Sequence, residues 1–359
     1  MFQTKTKKQW AAIAGFFFLA ALFFSAGCRK ENSIRVFPEE PYPARLSDWR
    51  LFLSSPDGPV PSPDLRPYDL INSNFRNYAE VKRFFYIPDG GKMHYLEGRS
   101  IILPEGSLLA QTYFFINPKG KRKLMETRLL VRSSNGWTAL PYQWNEDGTD
   151  AALTPGASRF DVDVRIGSVS RKIEYDMPGQ NECNSCHQDG PTISPIAFRA
   201  ELLNVTSAQG SQLDGWIKSG ILTGLDSAKH APRMSAWNAP QAKVEDRAKA
   251  YLEINCAHCH NPGGNAGYTG LHFNFSDRNR SGFGLCKIPF SAGRGTGGHP
   301  FDIFPGNPAR SIVLFRMQSN EPGIMMPQFG RTMVHREGVD LMRQWIASMR
   351  MLCPPGGVR

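Results

Sequence analysis

The sequence predicts an α+β multidomain chain, in which an all-β sandwich or jelly-roll-like domain is followed by a mainly α-helical region. Three observations carry this expectation. Residues 65–178 hold seven or eight short runs rich in Phe, Tyr, Leu, Ile and Val, separated by turn residues. From residue 179 the texture changes to short helical stripes between long glycine-rich loops. The chain has 359 residues, 41% apolar or aromatic and 21% charged, an ordinary globular composition long enough for two cores. Its 34 Gly and 27 Pro fall below the level of a disordered or collagenous polymer. With one strongly apolar run, at the extreme N-terminus, a multi-span membrane protein and a coiled coil are excluded as well.

The first element is an address. Residues 1–9 carry Lys5, Lys7 and Lys8 and no acid, residues 10–24 are uninterrupted apolar, and Ser25-Ala26-Gly27-Cys28 follows. A basic start, an apolar run of this length and a small-residue site make residues 1–27 an export signal. The run is short for a transmembrane helix, which needs about 20 residues. Cys28 behind Ala26-Gly27 matches a bacterial lipobox except that Ser25 stands where Leu is usual. Lipidation at Cys28, plain cleavage or an uncleaved anchor would each leave the rest of the chain outside the cytoplasmic membrane. Removing the signal takes away three lysines and lowers the formal charge from +10 to +7.

Residues 28–64, rich in Pro, Ser and charge, read as a tether with one short helix over Ser47–Leu53. In the β-rich domain, Asn135-Gly136 lies between two apolar runs and signals a hairpin. Its His94 reads as a surface or satisfied core residue rather than a ligand.

The chemistry lies in the cysteines: Cys28, Cys183, Cys186, Cys256, Cys259, Cys286 and Cys353. Cys183-Asn184-Ser185-Cys186-His187 and Cys256-Ala257-His258-Cys259-His260 are both C-x-x-C-H, the signature of covalent c-type haem attachment. Two thiols add across the porphyrin vinyl groups, and the adjacent His supplies the proximal iron ligand. Two such pentapeptides point to two haem c groups, bonded through Cys183, Cys186, Cys256 and Cys259, with His187 and His260 on the irons. A zinc site of four thiolates is the rival, although zinc needs no His after each pair. Cys286 and Cys353 remain as an even pair, which in an oxidising compartment suggests a disulfide, with two buried thiols as the alternative.

The mainly helical region is therefore expected to be a di-haem cytochrome c region, divided into a haem 1 module at 179–240 and a haem 2 module at 241–359. Gln241–Asn255 carries Val244, Ala248, Tyr251 and Leu252 on one face and runs into Cys256. Val339, Met342, Trp345, Ile346 and Met349 repeat at helical spacing near the end, and the two helices are expected to pack on each other. Pro178-Gly179 stands before Cys183, so no helix is expected to lead into the first motif.

A thioether on the distal side closes an iron and raises its potential, which suits electron transfer. Met326, before Pro327 and ahead of the last helix, is the candidate for haem 2, with Met325 its rival. Met234 in Pro232-Arg233-Met234 is the candidate for haem 1, with His230 the rival. Each Met has plain core packing as its alternative reading. The run Ala292–Gly298 lacks the Lys and the strand–helix context of a phosphate loop and reads as a loop passing haem 2. Arg294 and Arg310 are candidate propionate partners or ordinary surface residues.

The chain from about residue 40 to 352 resembles a family of bacterial di-haem c-type cytochromes with a β-rich N-terminal domain. The resemblance lies in Pro67-Tyr68-Asp69-Leu70, Glu126–Val131, Leu140–Asn145, both haem motifs with their flanks, Pro305-Gly306-Asn307-Pro308 and Met325-Met326-Pro327. It implies covalent haem c, electron transfer and a cell-envelope location, and it implies no substrate.

The expected function is that of an exported, lipid-anchored di-haem cytochrome on the periplasmic side, an electron carrier rather than a catalyst. Its expected partners are periplasmic redox proteins and the membrane at its anchor, not nucleic acid. A charge of +7 would partly offset four haem propionates and leave a mild positive field for an acidic partner. The alternative is a di-haem peroxidase-like oxidoreductase with one open iron site.

Overall fold

The computed structural model describes residues 33–55, 58–97, 100–275 and 281–358. The expected export signal and the expected lipidation site Cys28 lie outside the described residues. Eight strands form one antiparallel sheet: β1 (Arg66–Pro67), β2 (Glu80–Tyr86), β3 (Leu108–Ile116), β4 (Arg122–Ser133), β5 (Gly136–Trp144), β6 (Ala151–Leu153), β7 (Ser158–Ile166) and β8 (Val169–Met177). Their order is β6-β5-β4-β3-β7-β8, with β2 also on β3 and β1 on β2. β2 follows β3 from Glu80↔Phe114 to Tyr86↔Leu108, whereas β7 meets β3 only at Arg165↔Ile116. The β7–β8 hairpin therefore extends beyond the end of β3 and packs its own cluster of Val162, Val164, Ile173, Tyr175 and Met177. The β4–β5 hairpin closes at Ser133↔Gly136, with Gly136 at φ +118°, a value only glycine adopts readily.

This arrangement corrects the sandwich or jelly-roll expectation. No second large sheet is needed, because other parts of the chain cover both faces of this one. On one face Phe84, Leu108, Ala110, Leu129, Leu140 and Tyr142 pack with Ile34, Leu46, Trp49 and Leu51. Trp49 Nε1 donates to Tyr142 Oη at 2.8 Å, so burial leaves no orphaned indole N–H. The segment expected to be a tether is thus part of the core; its apolar residues are dispersed among Pro and charge, which hides them from a composition reading. On the opposite face Phe85, Leu109, Leu130 and Ala139 pack with Cys183, Phe198, Leu203, Leu213 and Trp216, which lie in and beyond the first motif.

The second correction concerns the region after 178, which is not a mainly helical cytochrome region. Its α-helices are short: α1 (Gln180–His187), α2 (Ala200–Leu203), α3 (Gln212–Lys218), α4 (Val244–Leu252), α5 (Ile312–Gln318) and α6 (Arg336–Ser348), the longest having 13 residues. Loops and two-stranded ribbons join them. The frequent Gly and Pro between 261 and 308 explain this, since each breaks helix propagation. The expected pairing of the two flanking helices is present: α4 and α6 share a core of Ala248, Tyr251, Leu252, Val339, Met342, Trp345 and Ile346. Gly338 permits the close approach, since a Cβ there would sit 2.3 Å from the Tyr251 ring.

Candidate haem-attachment site

The first motif lies on α1 rather than after an unstructured entry. Gly179 starts this helix because a Cβ would stand 2.5 Å from the Pro155 carbonyl, and its N–H donates to Glu182 Oε2 at 3.0 Å, capping the first turn. The second motif follows α4 through a wider π turn, Glu253–Ala257, so Cys256 emerges directly from the helix that Tyr251 anchors.

The two motif histidines are prepared in the same way. His187 Nδ1 lies 2.7 Å from the Ser194 carbonyl, which can only accept, so Nδ1 carries the proton and Nε2 holds a free lone pair. His260 Nδ1 lies 3.3 Å from Thr269 Oγ1, whose own hydrogen is given to the Ala266 carbonyl at 2.7 Å. The hydroxyl therefore accepts, and again Nε2 is left as a donor atom for a metal. Burial pushes both imidazoles down to about 4, so both are neutral at ordinary pH. A neutral ring oriented through its second nitrogen is what iron ligation requires.

Each motif faces a cavity. The larger, about 310 Å³, is walled by Cys256, Cys259, His260 and Met326 together with Phe75, Tyr268, Phe290 and Arg316. That volume lies within the range of small-molecule sites. The smaller, about 70 Å³, is walled by Cys183, Cys186 and His187 together with Tyr68, Tyr113, Arg128, Ile254 and Ala197. Four residues, Asn74, Arg76, Cys186 and His258, belong to both walls, so the sites adjoin. Burial raises the Cys183 thiol to about 11 and the Cys256 thiol to about 12. Cys259 donates a hydrogen bond to Cys186, which holds the Cys186 sulfur below the ordinary thiol range and pushes Cys259 up.

Of the residues singled out from sequence, the structure brings the second motif and Met326 to one cavity wall. Met325 is buried in the core instead. Met234, 2% exposed, packs with Leu202, Ala250 and Ile254; Ile254 and Ala197 line the cavity at His187, and Met234 does not. His230 is turned outward and pairs with Asp226 at 2.7 Å. Arg294 pairs with Glu321 at 2.6 Å, and Arg310 lies over the Phe304 ring. The glycine-rich loop touches the larger cavity through Ala292 and packs Gly297 against Phe315. Cys286 and Cys353 form a disulfide with Cα atoms 5.3 Å apart.

Sequence reasoning passed over Arg76, His258 and Arg331. His258 carried a readable signal, a second histidine inside the motif; its Nδ1 is buried without a hydrogen-bond partner. Arg76 comes from the loop ahead of β2, its guanidinium bonds the Phe329 carbonyl at 3.2 Å, and Gly330 makes room for it. No local pattern foretells that approach across 250 residues.

The ligating atoms of Cys186, His258 and Cys259 lie within 4.8 Å of one another, a set that would also suit a thiolate- and imidazole-binding metal ion. The donor chemistry of each full motif fits haem c: two thiols two residues apart, then a neutral imidazole with a free Nε2. The larger cavity, at about 310 Å³, offers far more room beside its motif than the smaller, at about 70 Å³. The chain matches no known family, no curated protein and no solved structure.

Proposed function

We propose that this chain is an exported di-haem c-type cytochrome that relays electrons, held at the cell envelope through Cys28. The observation that carries the reading is the shared state of His187 and His260: each directs its protonated nitrogen to a protein acceptor and leaves Nε2 free beside a C-x-x-C pair facing a cavity. Bound haem would supply a one-electron ferrous–ferric couple. Cys183, Cys186, Cys256 and Cys259 would attach it, His187 and His260 would hold the irons through their free Nε2, and Met326, on the wall of His260's cavity, is the candidate for a further donor. The paired C-x-x-C-H pentapeptides support the same reading. So does the partial burial of both motifs, since burial and axial ligand set the potential. No helix among the described residues is long and apolar enough to cross a membrane.

The test is maturation in a host competent for haem c. Intact mass should show two haems, and Met326→Ala should abolish the red-region thioether–iron band of one of them. A mature chain without haem, holding a metal ion at Cys186, His258 and Cys259, would overturn the proposal. One observation favours a second reading, a haem oxidoreductase with an open site: the wall around His187 includes Tyr68, Tyr113, Arg128 and His258 but no methionine. High-spin ferric haem with peroxide turnover would establish that alternative.

A further inference from the structure

Arg331 is 2% exposed, yet among the described residues it meets no carboxylate. Its guanidinium donates to five neutral oxygens: Asn320 Oδ1 at 3.1 Å and the carbonyls of Met333 at 3.1 Å, Arg316 at 3.4 Å, Ser319 at 2.8 Å and Met326 at 2.8 Å. Its Nε has no partner. A buried, uncompensated cation is costly, so its retention calls for a role. The geometry supplies one. Met326 N–H donates to the Arg316 carbonyl at 3.0 Å while the Met326 carbonyl accepts from Arg331. Arg316 Nε also donates to the Ile324 carbonyl at 2.8 Å. Both ends of the Met326 peptide are therefore tied to the end of α5, and the guanidinium joins α5, the methionine loop and the lead-in to α6.

We infer that Arg331 is the positioning residue that holds Met326 toward the haem 2 site. The inference rests on the proposed His260/Met326 ligation. Four N–H groups on the two terminal nitrogens of one rigid plane fix a loop in a way that a lysine, with three donors on one atom, does not. With the loop fixed, the thioether pays little ordering entropy on ligation and resists exogenous ligands.

The test compares wild type, Arg331→Lys, Met326→Ala and the double variant, all matured with haem, by the thioether–iron band and by imidazole titration of the ferric protein. Arg331→Lys should retain both haems, weaken the band and bind imidazole at haem 2 about tenfold more tightly. In the Met326→Ala background Arg331→Lys should add nothing. An unchanged band and imidazole affinity in Arg331→Lys, or an equal change in the Met326→Ala background, overturns the inference. Arg331→Gln is a second probe of the same contact; if it fails to mature, the Lys variant, which keeps the charge, decides. A wild-type protein with two haems but no such band removes the His/Met reading itself, a result distinct from an intact band that Arg331→Lys leaves untouched.

Discussion

The sulfurs of Cys186 and Cys259, 73 residues apart in sequence, lie within 4.8 Å of each other and share a hydrogen bond. Each belongs to a different motif, so the two attachment edges face one another across a wall that also holds His258 and Arg76. Two haems attached at these sulfurs would stand close enough for their charges to interact. We expect a redox titration to resolve two one-electron steps in which oxidising one haem raises the potential of the other by roughly several tens of millivolts. A Cys256→Ala/Cys259→Ala variant, keeping only haem 1, should show a single step at a shifted potential. An unshifted haem 1 potential would mean that the sites are uncoupled.

Met234→Ala separates a ligand from a core residue. The side chain is buried in a cluster with Leu202, Ala250 and Ile254, so its truncation should lower the unfolding free energy by about 2–5 kcal/mol. The haem 1 spectrum should stay as it was. Chemical denaturation and optical spectra of the same samples check both parts, and a change of axial ligand at haem 1 would place Met234 on the iron.

Asp302 supplies a pH test. Burial raises its carboxyl to about 6, against the partial relief of Lys287 at 3.6 Å. The folded chain therefore holds this proton more tightly than the unfolded chain does, and stability falls as pH rises from about 4 through 6. Asp302→Asn should remove that slope and stabilise the protein at pH 7, by on the order of 3 kcal/mol at most. Lys287 retains the Thr269 carbonyl at 3.0 Å in that variant. Denaturation midpoints for both proteins at pH 4.5 and 7.5 would show it; parallel changes in the two would exclude Asp302 as the titrating group.

The Cys286–Cys353 bond closes a loop with a sequence separation of 67 and fastens the C-terminal tail to the residues around Lys287, where Val358 N–H bonds the Cys286 carbonyl at 2.8 Å. Replacing both cysteines by serine should cost about 2–4 kcal/mol, chiefly by freeing the unfolded chain. A reductant should lower the wild-type melting temperature and leave the double variant's unchanged.

The sequence by itself carried the candidate chemistry: C-x-x-C-H is a local pattern, and its two thiols and histidine stand within five residues of backbone. It also showed the strands, whose alternation is local, and the α4 and α6 faces, whose stripes repeat every turn. Tertiary structure alone decided what stands across from each motif. Met326 stands on the wall of the cavity at His260, 66 residues away in sequence, on a loop tied to Arg316 and Arg331, whereas Met234, the weaker candidate in sequence, turns into a core cluster. Sheet layering was hidden for the same reason, because a strand's pattern shows that a face is covered but not by what. Here the N-terminal segment and the first motif cover the two faces, so the sheet needs no second sheet against it. Closure over such distances depends on packing and buried hydrogen bonds between segments, and neither leaves a periodic trace in the chain.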